Sequence, residues 1–253
     1  MLHQFSGRPR GRRLAAAALA GTLVLAGCDA PDAPVPAPPA TAASASPAPL
    51  TPQEQATVNT QLIKAAVSND AKAVTRLLAD GAALEFKGPE GRTPLVAATK
   101  AGAAAAAKTL MEAGANVNAQ DDVQDSAFLY AGAEGLDEIL TLTLAHGADI
   151  KSTNRYGGTA LIPACEHAHV STVKILLAAG VPVDHVNNLG WTGLLEAVIL
   201  GTGGEAHQEV VRLLIEAGAE VNLADTNGVT ALAHARSAGQ GAVAQLLVAA
   251  GAR

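Results

Sequence analysis

The sequence predicts an all-α protein: a solenoid of six helix-turn-helix repeats joined by β-hairpin-like loops. Three observations carry this. Glycines followed by a small residue recur at Gly81, Gly114, Gly147, Gly180, Gly218 and Gly251, spaced by 33, 33, 33, 38 and 33 residues. A hydroxyl residue stands 21 positions before five of them, as Thr60, Thr93, Ser126, Thr159 and Thr230. Half the chain is apolar (49%), yet only 2% is aromatic. Such a chain fills its core with many small contacts between stacked helices, and a fixed period of this length marks repeats that bury their faces only against each other.

Taken from the amino terminus, the first element is a leader. Residues 1–27 carry Arg8, Arg10, Arg12 and Arg13, then an apolar run too short to span a bilayer, then small residues. This is the plan of a secretory signal peptide. Its end, Leu25-Ala26-Gly27-Cys28, resembles a bacterial lipobox, which implies lipidation of Cys28 and anchoring of the mature protein in a membrane. Asp29 resembles the inner-membrane retention signal of enteric bacteria, which would place the protein in the cell envelope facing the periplasm. Residues 28–50 are nearly all Pro, Ala and Ser after the cysteine, a semi-rigid tether with nothing to bury. Cys165 is the one other cysteine, so no disulfide is expected within the globular part.

Residues 51–253 hold the repeats, at about 51–87, 88–120, 121–153, 154–186, 187–224 and 225–253. The first opens on Thr51-Pro52-Gln53-Glu54, a capping box with proline at the first helical position, and predicts a long capping helix. Each later repeat opens its first helix on a hydroxyl N-cap: Thr93, Ser126, Thr159, Thr192 and Thr230. Gly102 and Gly135 suit the left-handed turn that ends a first helix, and Gly114 and its equivalents the turn that ends a second. Leu77-Leu78, Leu176-Leu177 and Leu213-Leu214 are expected to face stacked neighbours, and Thr143 takes a core slot where leucine is usual. Thr192 lies 26 residues before Gly218, so the fifth repeat carries five extra residues around 201–208.

The segments GRTPLVAATKAG…LMEAGANVNAQD, GGTALIPACEHAHVSTVKILLAAG and NGVTALAHARSAG…LLVAAGA resemble ankyrin repeats, and the resemblance covers 51–253. It implies protein binding without catalysis, through a concave groove made by the loop tips and the first helices.

Composition bounds the partner. Four of the 17 basic residues sit in the leader, leaving 13 against 23 acids, so no basic patch remains for nucleic acid phosphates. Cys165, Glu166, His167 and His169 crowd together, but the repeat register divides them. Cys165 and His169 fall on packed positions, His169 at the place where the resemblance implies an inter-repeat hydrogen-bond network. Glu166 and His167 fall on groove positions, so no metal site is expected. Nor is a cofactor. The groove slots of the third to fifth repeats hold Asp125, Tyr130, Glu134, Arg155, Tyr156, Glu166, His167, Trp191 and Glu196, which include both tyrosines and the single tryptophan. Trp191 is expected at a loop tip, with its ring in the groove and clear of the core. In an aromatic-poor chain, three rings on one surface resemble the anchors of a binding site for a protein or peptide.

Two alternatives stay open. One is a small-ligand or enzymatic site around Glu166, His167, Glu196 and Tyr130, with His185 or His234. The other is a stress-protective structural protein of the periplasm. A monomer is expected.

Overall fold

The computed structural model describes residues 49–253. The leader, Cys28 and the tether up to residue 48 lie outside the described residues.

Twelve α-helices form six consecutive pairs among the described residues: α1 Pro52–Val67 with α2 Ala71–Ala79, α3 Pro94–Lys100 with α4 Ala104–Glu112, α5 Ala127–Ala133 with α6 Asp137–Ala145, α7 Leu161–Glu166 with α8 Val170–Ala178, α9 Gly193–Ile199 with α10 Glu205–Glu216, and α11 Ala231–Ser237 with α12 Gly241–Ala249. The first helix of each pair packs on the first helices before and after it, and the second helices stack likewise. Two rows of helices result, with one continuous core between them. No strand forms among the described residues beyond a single bridge between Ala224 and Thr230. No described helix is long and apolar enough to cross a membrane.

The capping chemistry follows the sequence in most repeats. Thr51 and Glu54 close their capping box, and the 16-residue α1 follows. Thr60, on the period, therefore lies in mid-helix, where its Oγ1 donates to the Ala56 carbonyl at 2.8 Å. Thr93, Ser126, Thr192 and Thr230 each accept the backbone N–H three residues on, at 3.2 to 3.4 Å.

Thr159 departs from this pattern. Pro163 has no N–H to give the Thr159 carbonyl, so that carbonyl accepts from Ile162 at 3.2 Å in a tighter turn. The helix begins at Leu161, and the buried Thr159 hydroxyl has no hydrogen-bond partner. The expected N-cap is absent because of the proline four residues on.

Left-handed turns end the first helices at Gly102 and Gly135, and at Asn69 and Ala168 in the two repeats without glycine there (φ 57° and 53°). Asn69 tolerates this conformation and uses its Oδ1 to accept the Ala106 N–H of the next repeat at 2.9 Å. Ala168 has no such compensation.

One leucine of each pair fills the core. Leu77, Leu176 and Leu214, each four residues before its glycine, are buried, as are Leu110 and Leu247 in the same slot. Leu78, Leu177 and Leu213 are half-buried and lean on that core. Thr143 takes the equivalent slot, fully buried, and donates to the Leu140 carbonyl at 2.8 Å. The inserted residues of the fifth repeat divide between a longer α10 (12 residues against nine in the other second helices) and a loop before it. Gln240 fixes that loop by donating to the carbonyls of Val198 (2.9 Å) and Gly201 (3.0 Å).

Candidate groove site

Four of the five loops between repeats are built alike; the first, with Gly88 at its base, makes a short 3-10 turn over Pro89–Gly91 instead. An Asp or Asn at the loop base accepts two backbone N–H groups through its Oδ1: Asp121 from Val123 and Asp125, Asn154 from Tyr156 and Gly158, Asn187 from Leu189 and Trp191, Asp225 from Asn227 and Val229. A short acceptor side chain of this kind sets a turn without a strand ladder. Neighbouring loops join through Asp122 N–H to the Glu90 carbonyl (3.0 Å) and Asn188 N–H to the Tyr156 carbonyl (2.9 Å).

Between these loops and the first-helix row lies a cavity of about 370 Å³. All nine residues expected in the groove line it: Asp125, Tyr130, Glu134, Arg155, Tyr156, Glu166, His167, Trp191 and Glu196. Their convergence is a consequence of helical spacing. The fourth, seventh and eighth residues after a capping position share one face of the helix. Tyr130, Pro163 and Glu196 take the fourth place, Ala133 and Glu166 the seventh, and Glu134, His167 and Leu200 the eighth.

Trp191 sits on the return arm of its loop, not at the tip, which is formed by Asn188, Leu189 and Gly190. Its carbonyl accepts the Asn187 N–H at 3.0 Å. The ring is half-buried and packs partly on the core while also lining the cavity, so the expectation that it stands clear of the core is corrected. Beside it, Tyr156, Leu189 and Leu200 line the cavity yet remain 54%, 51% and 49% exposed. Apolar side chains exposed together around a concavity mark an interaction surface.

Sequence reasoning missed four contributors. Leu189 occupies the loop position that Tyr156 holds one repeat earlier. Asn154 and Asn187 are the loop bases. Lys100, at the seventh position of α3, adjoins the lining: its Nζ lies 2.6 Å from Asp125 Oδ2, 3.2 Å from Asp121 Oδ2 and 4.5 Å from the centre of the Tyr130 ring. Burial opposes the Lys100 charge, but the two aspartates outweigh it and hold its pKa above the ordinary value.

The carboxylates divide into two groups. Asp125 is neutralised by Lys100. Glu134, Glu166 and Glu196 have no salt-bridge partner among the described residues. Glu196 is only 6% exposed. Asn187 Nδ2 donates to its Oε1 at 2.7 Å. Burial, with the Glu166 carboxylate adding to it, pushes the Glu196 pKa up to about 7 despite that hydrogen bond.

The rest of the CEHAH cluster separates. Cys165 is fully buried, and burial with the nearby Glu196 charge drives its thiol pKa far up. His169 is half-buried beside Gly135, where a Cβ would come within 2.9 Å of its Nδ1, and burial lowers its pKa. His167 Nδ1 donates to the Ala133 carbonyl of the preceding repeat at 3.1 Å, and the Ala133 backbone acts on His169 as well. No group of His, Cys, Asp and Glu among the described residues has the geometry of a metal site. His185 bonds the Gly157 carbonyl through Nε2 at 2.7 Å, and His234 bonds Asp225 at 2.9 Å. Neither lines the cavity.

Residues 47–121 and 128–225 match the family model described as Ankyrin repeats. The chain is 39% identical to an ankyrin repeat protein of Escherichia coli (strain K12), YahD, over 141 residues, 55% of this chain and 70% of that protein. In larger relatives the match is a segment, as with mask-1 of Caenorhabditis elegans, an ankyrin repeat and KH domain protein of which 5% is covered at 32% identity. Among solved structures, an ankyrin repeat domain from Acinetobacter baumannii AYE is 54% identical, covering 76% of this chain and 98% of that one with a TM-score of 0.74. The ankyrin repeat domain of Bcl-3, described as a member of the IkappaB protein family, is 29% identical, covering 76% and 86% with a TM-score of 0.69.

Proposed function

The chain belongs to the ankyrin-repeat family, and on that premise we propose that it is a lipid-anchored, extracytoplasmic binding module that holds a protein or peptide in the cavity of its third to fifth repeats. Ankyrin repeats are in general protein-interaction scaffolds, and the fold alone names no partner. The observation that carries the reading is the convergence on one cavity of the aromatic and acidic groove residues, rimmed by exposed Tyr156, Leu189 and Leu200. Large rings bury much area at small entropic cost, which suits them as anchors.

The envelope location rests on Leu25-Ala26-Gly27-Cys28 and the Pro/Ala tether, with Asp29 favouring the inner membrane where the enteric rule holds. Cys28→Ser should abolish labelling by a fatty-acid analogue and leave an unprocessed precursor; a variant that still labels and matures overturns the anchor. For the binding role, pull-down of the full chain from solubilised membranes, read by mass spectrometry, should retain a discrete protein that is lost with Trp191→Ala. A copurifying small molecule instead would move the reading to a ligand site.

A further inference from the structure

The cations and anions of the groove do not balance locally. Lys100 and Arg155 are its fixed cations. Lys100 is held by Asp121 and Asp125 and lies over Tyr130. Arg155 lies over Tyr156, 4.6 Å from the ring centre, and feels chiefly Tyr156, then Asp125 and Asp121. Two aromatic rings of the groove thus already carry a cation from the chain, and so does one carboxylate. Between the fourth and fifth helix pairs the same elements recur without one. Trp191 has no cation over its ring among the described residues, and Glu166 and Glu196 have no lysine or arginine partner there, only the titratable imidazole of His167 nearby.

Glu196 is the decisive group. It is 94% buried by its 6% exposure, it lines the cavity, and only its Oε1 has a hydrogen-bond partner, Asn187. The second oxygen has no hydrogen-bond partner and is left free to accept from a cation or donor that enters the cavity. An indole beside it favours a cation over its face. A protein side chain fits both demands, and its own backbone would meet the exposed rim of Tyr156, Leu189 and Leu200.

Resting on the binding-module reading above, we infer that the cavity receives a cationic side chain, arginine or lysine, from an exposed segment of the partner protein, seated between Glu166 and Glu196 against the ring of Trp191. The site is a receptor for a basic residue, as the Lys100–Asp125–Tyr130 cluster two repeats away is for the chain's own lysine.

The test uses the full chain and the fluorescence of its one tryptophan. The probes are blocked pentapeptides Ala-Ala-Xaa-Ala-Ala with Xaa arginine, lysine, citrulline or glutamate, and agmatine as a free guanidine. The arginine or lysine peptide should shift Trp191 emission saturably. The citrulline peptide, nearly isosteric but uncharged, should bind at least tenfold more weakly, and the glutamate peptide not at all. Glu166→Gln should weaken the basic peptide at least threefold and Glu196→Gln about tenfold, with unchanged circular dichroism. Equal binding of arginine and citrulline peptides, or no saturable shift with either basic peptide, overturns the inference. Agmatine binding as tightly as the peptide would overturn the protein partner as the source of the cation. A membrane protein retained equally by wild type and by both Glu→Gln variants would leave the binding-module reading standing and this inference refuted.

Discussion

Asn187 and Glu196 are joined by a 2.7 Å hydrogen bond from Nδ2 to Oε1, across the turn between a loop base and the helix it leads into. The same asparagine accepts the N–H groups of Leu189 and Trp191, both at 3.0 Å, through its Oδ1. One side chain therefore sets the loop that carries Trp191 and orients the buried carboxylate behind it. Asp225 and His234 repeat this relation in the sixth repeat with the donor and acceptor exchanged. Asn187→Ala should destabilise the protein by about 2 kcal/mol, since it strands two loop N–H groups and a buried carboxylate oxygen. Urea unfolding checks this, and a loss within error of zero would mean that water replaces the side chain.

The elevated Glu196 pKa gives a pH dependence with a definite sign. Its folded value, about 7, lies above the ordinary value of 4.5, so the native state holds the proton more tightly. The stability it contributes is present in full below about 4.5 and is lost as pH rises through about 7. Glu196→Gln should remove this component, so the variant's melting temperature should gain on the wild type's between pH 5 and pH 8. A difference that stays constant across that range would contradict the shifted pKa.

Thr159 and Thr192 occupy the same register and should respond oppositely to the same change. Thr192→Val removes a working N-cap and should cost about 1 kcal/mol. Thr159→Val removes a buried hydroxyl without a partner and should be neutral or stabilise by about 1 kcal/mol. Parallel losses in chemical denaturation would show that Thr159 finds a partner in solution.

Linear stacking predicts position-dependent losses. Leu176→Ala, in the middle of the array, should cost about 2–5 kcal/mol through lost burial and the cavity left behind. Leu247→Ala, equally buried but in the last described repeat, should cost less and loosen only that end, as hydrogen exchange would show.

How much of this was legible in the sequence varies with the physics involved. The repeats were, because period, N-cap and left-handed glycine are local and recur, and Thr143 could be read as a leucine substitute from register alone. The cavity's helical residues were, since fixed spacing puts them on one face. Lys100 was missed because it lies on α3 of the second repeat, outside the third to fifth repeats whose slots supplied the groove set. Asn187 and the placement of Trp191 on the return arm depend on loop hydrogen bonds that span several residues, which no periodicity encodes. The lost cap of Thr159 needed the effect of Pro163 on a carbonyl four residues back, a pairwise effect hidden by a motif that looks intact.

The central claim, that a protein partner occupies the cavity of the third to fifth repeats, is tested most directly by site-specific photo-crosslinking in intact cells. A crosslinking residue at Leu189, on the cavity rim, should yield one discrete protein adduct, and the adduct should fall at least fivefold when Trp191→Ala is added. The same residue at Lys174, exposed on the second-helix row beside Glu209 (3.7 Å), should yield none. An adduct from Lys174 with none from Leu189, or a Leu189 adduct indifferent to Trp191, would contradict the account.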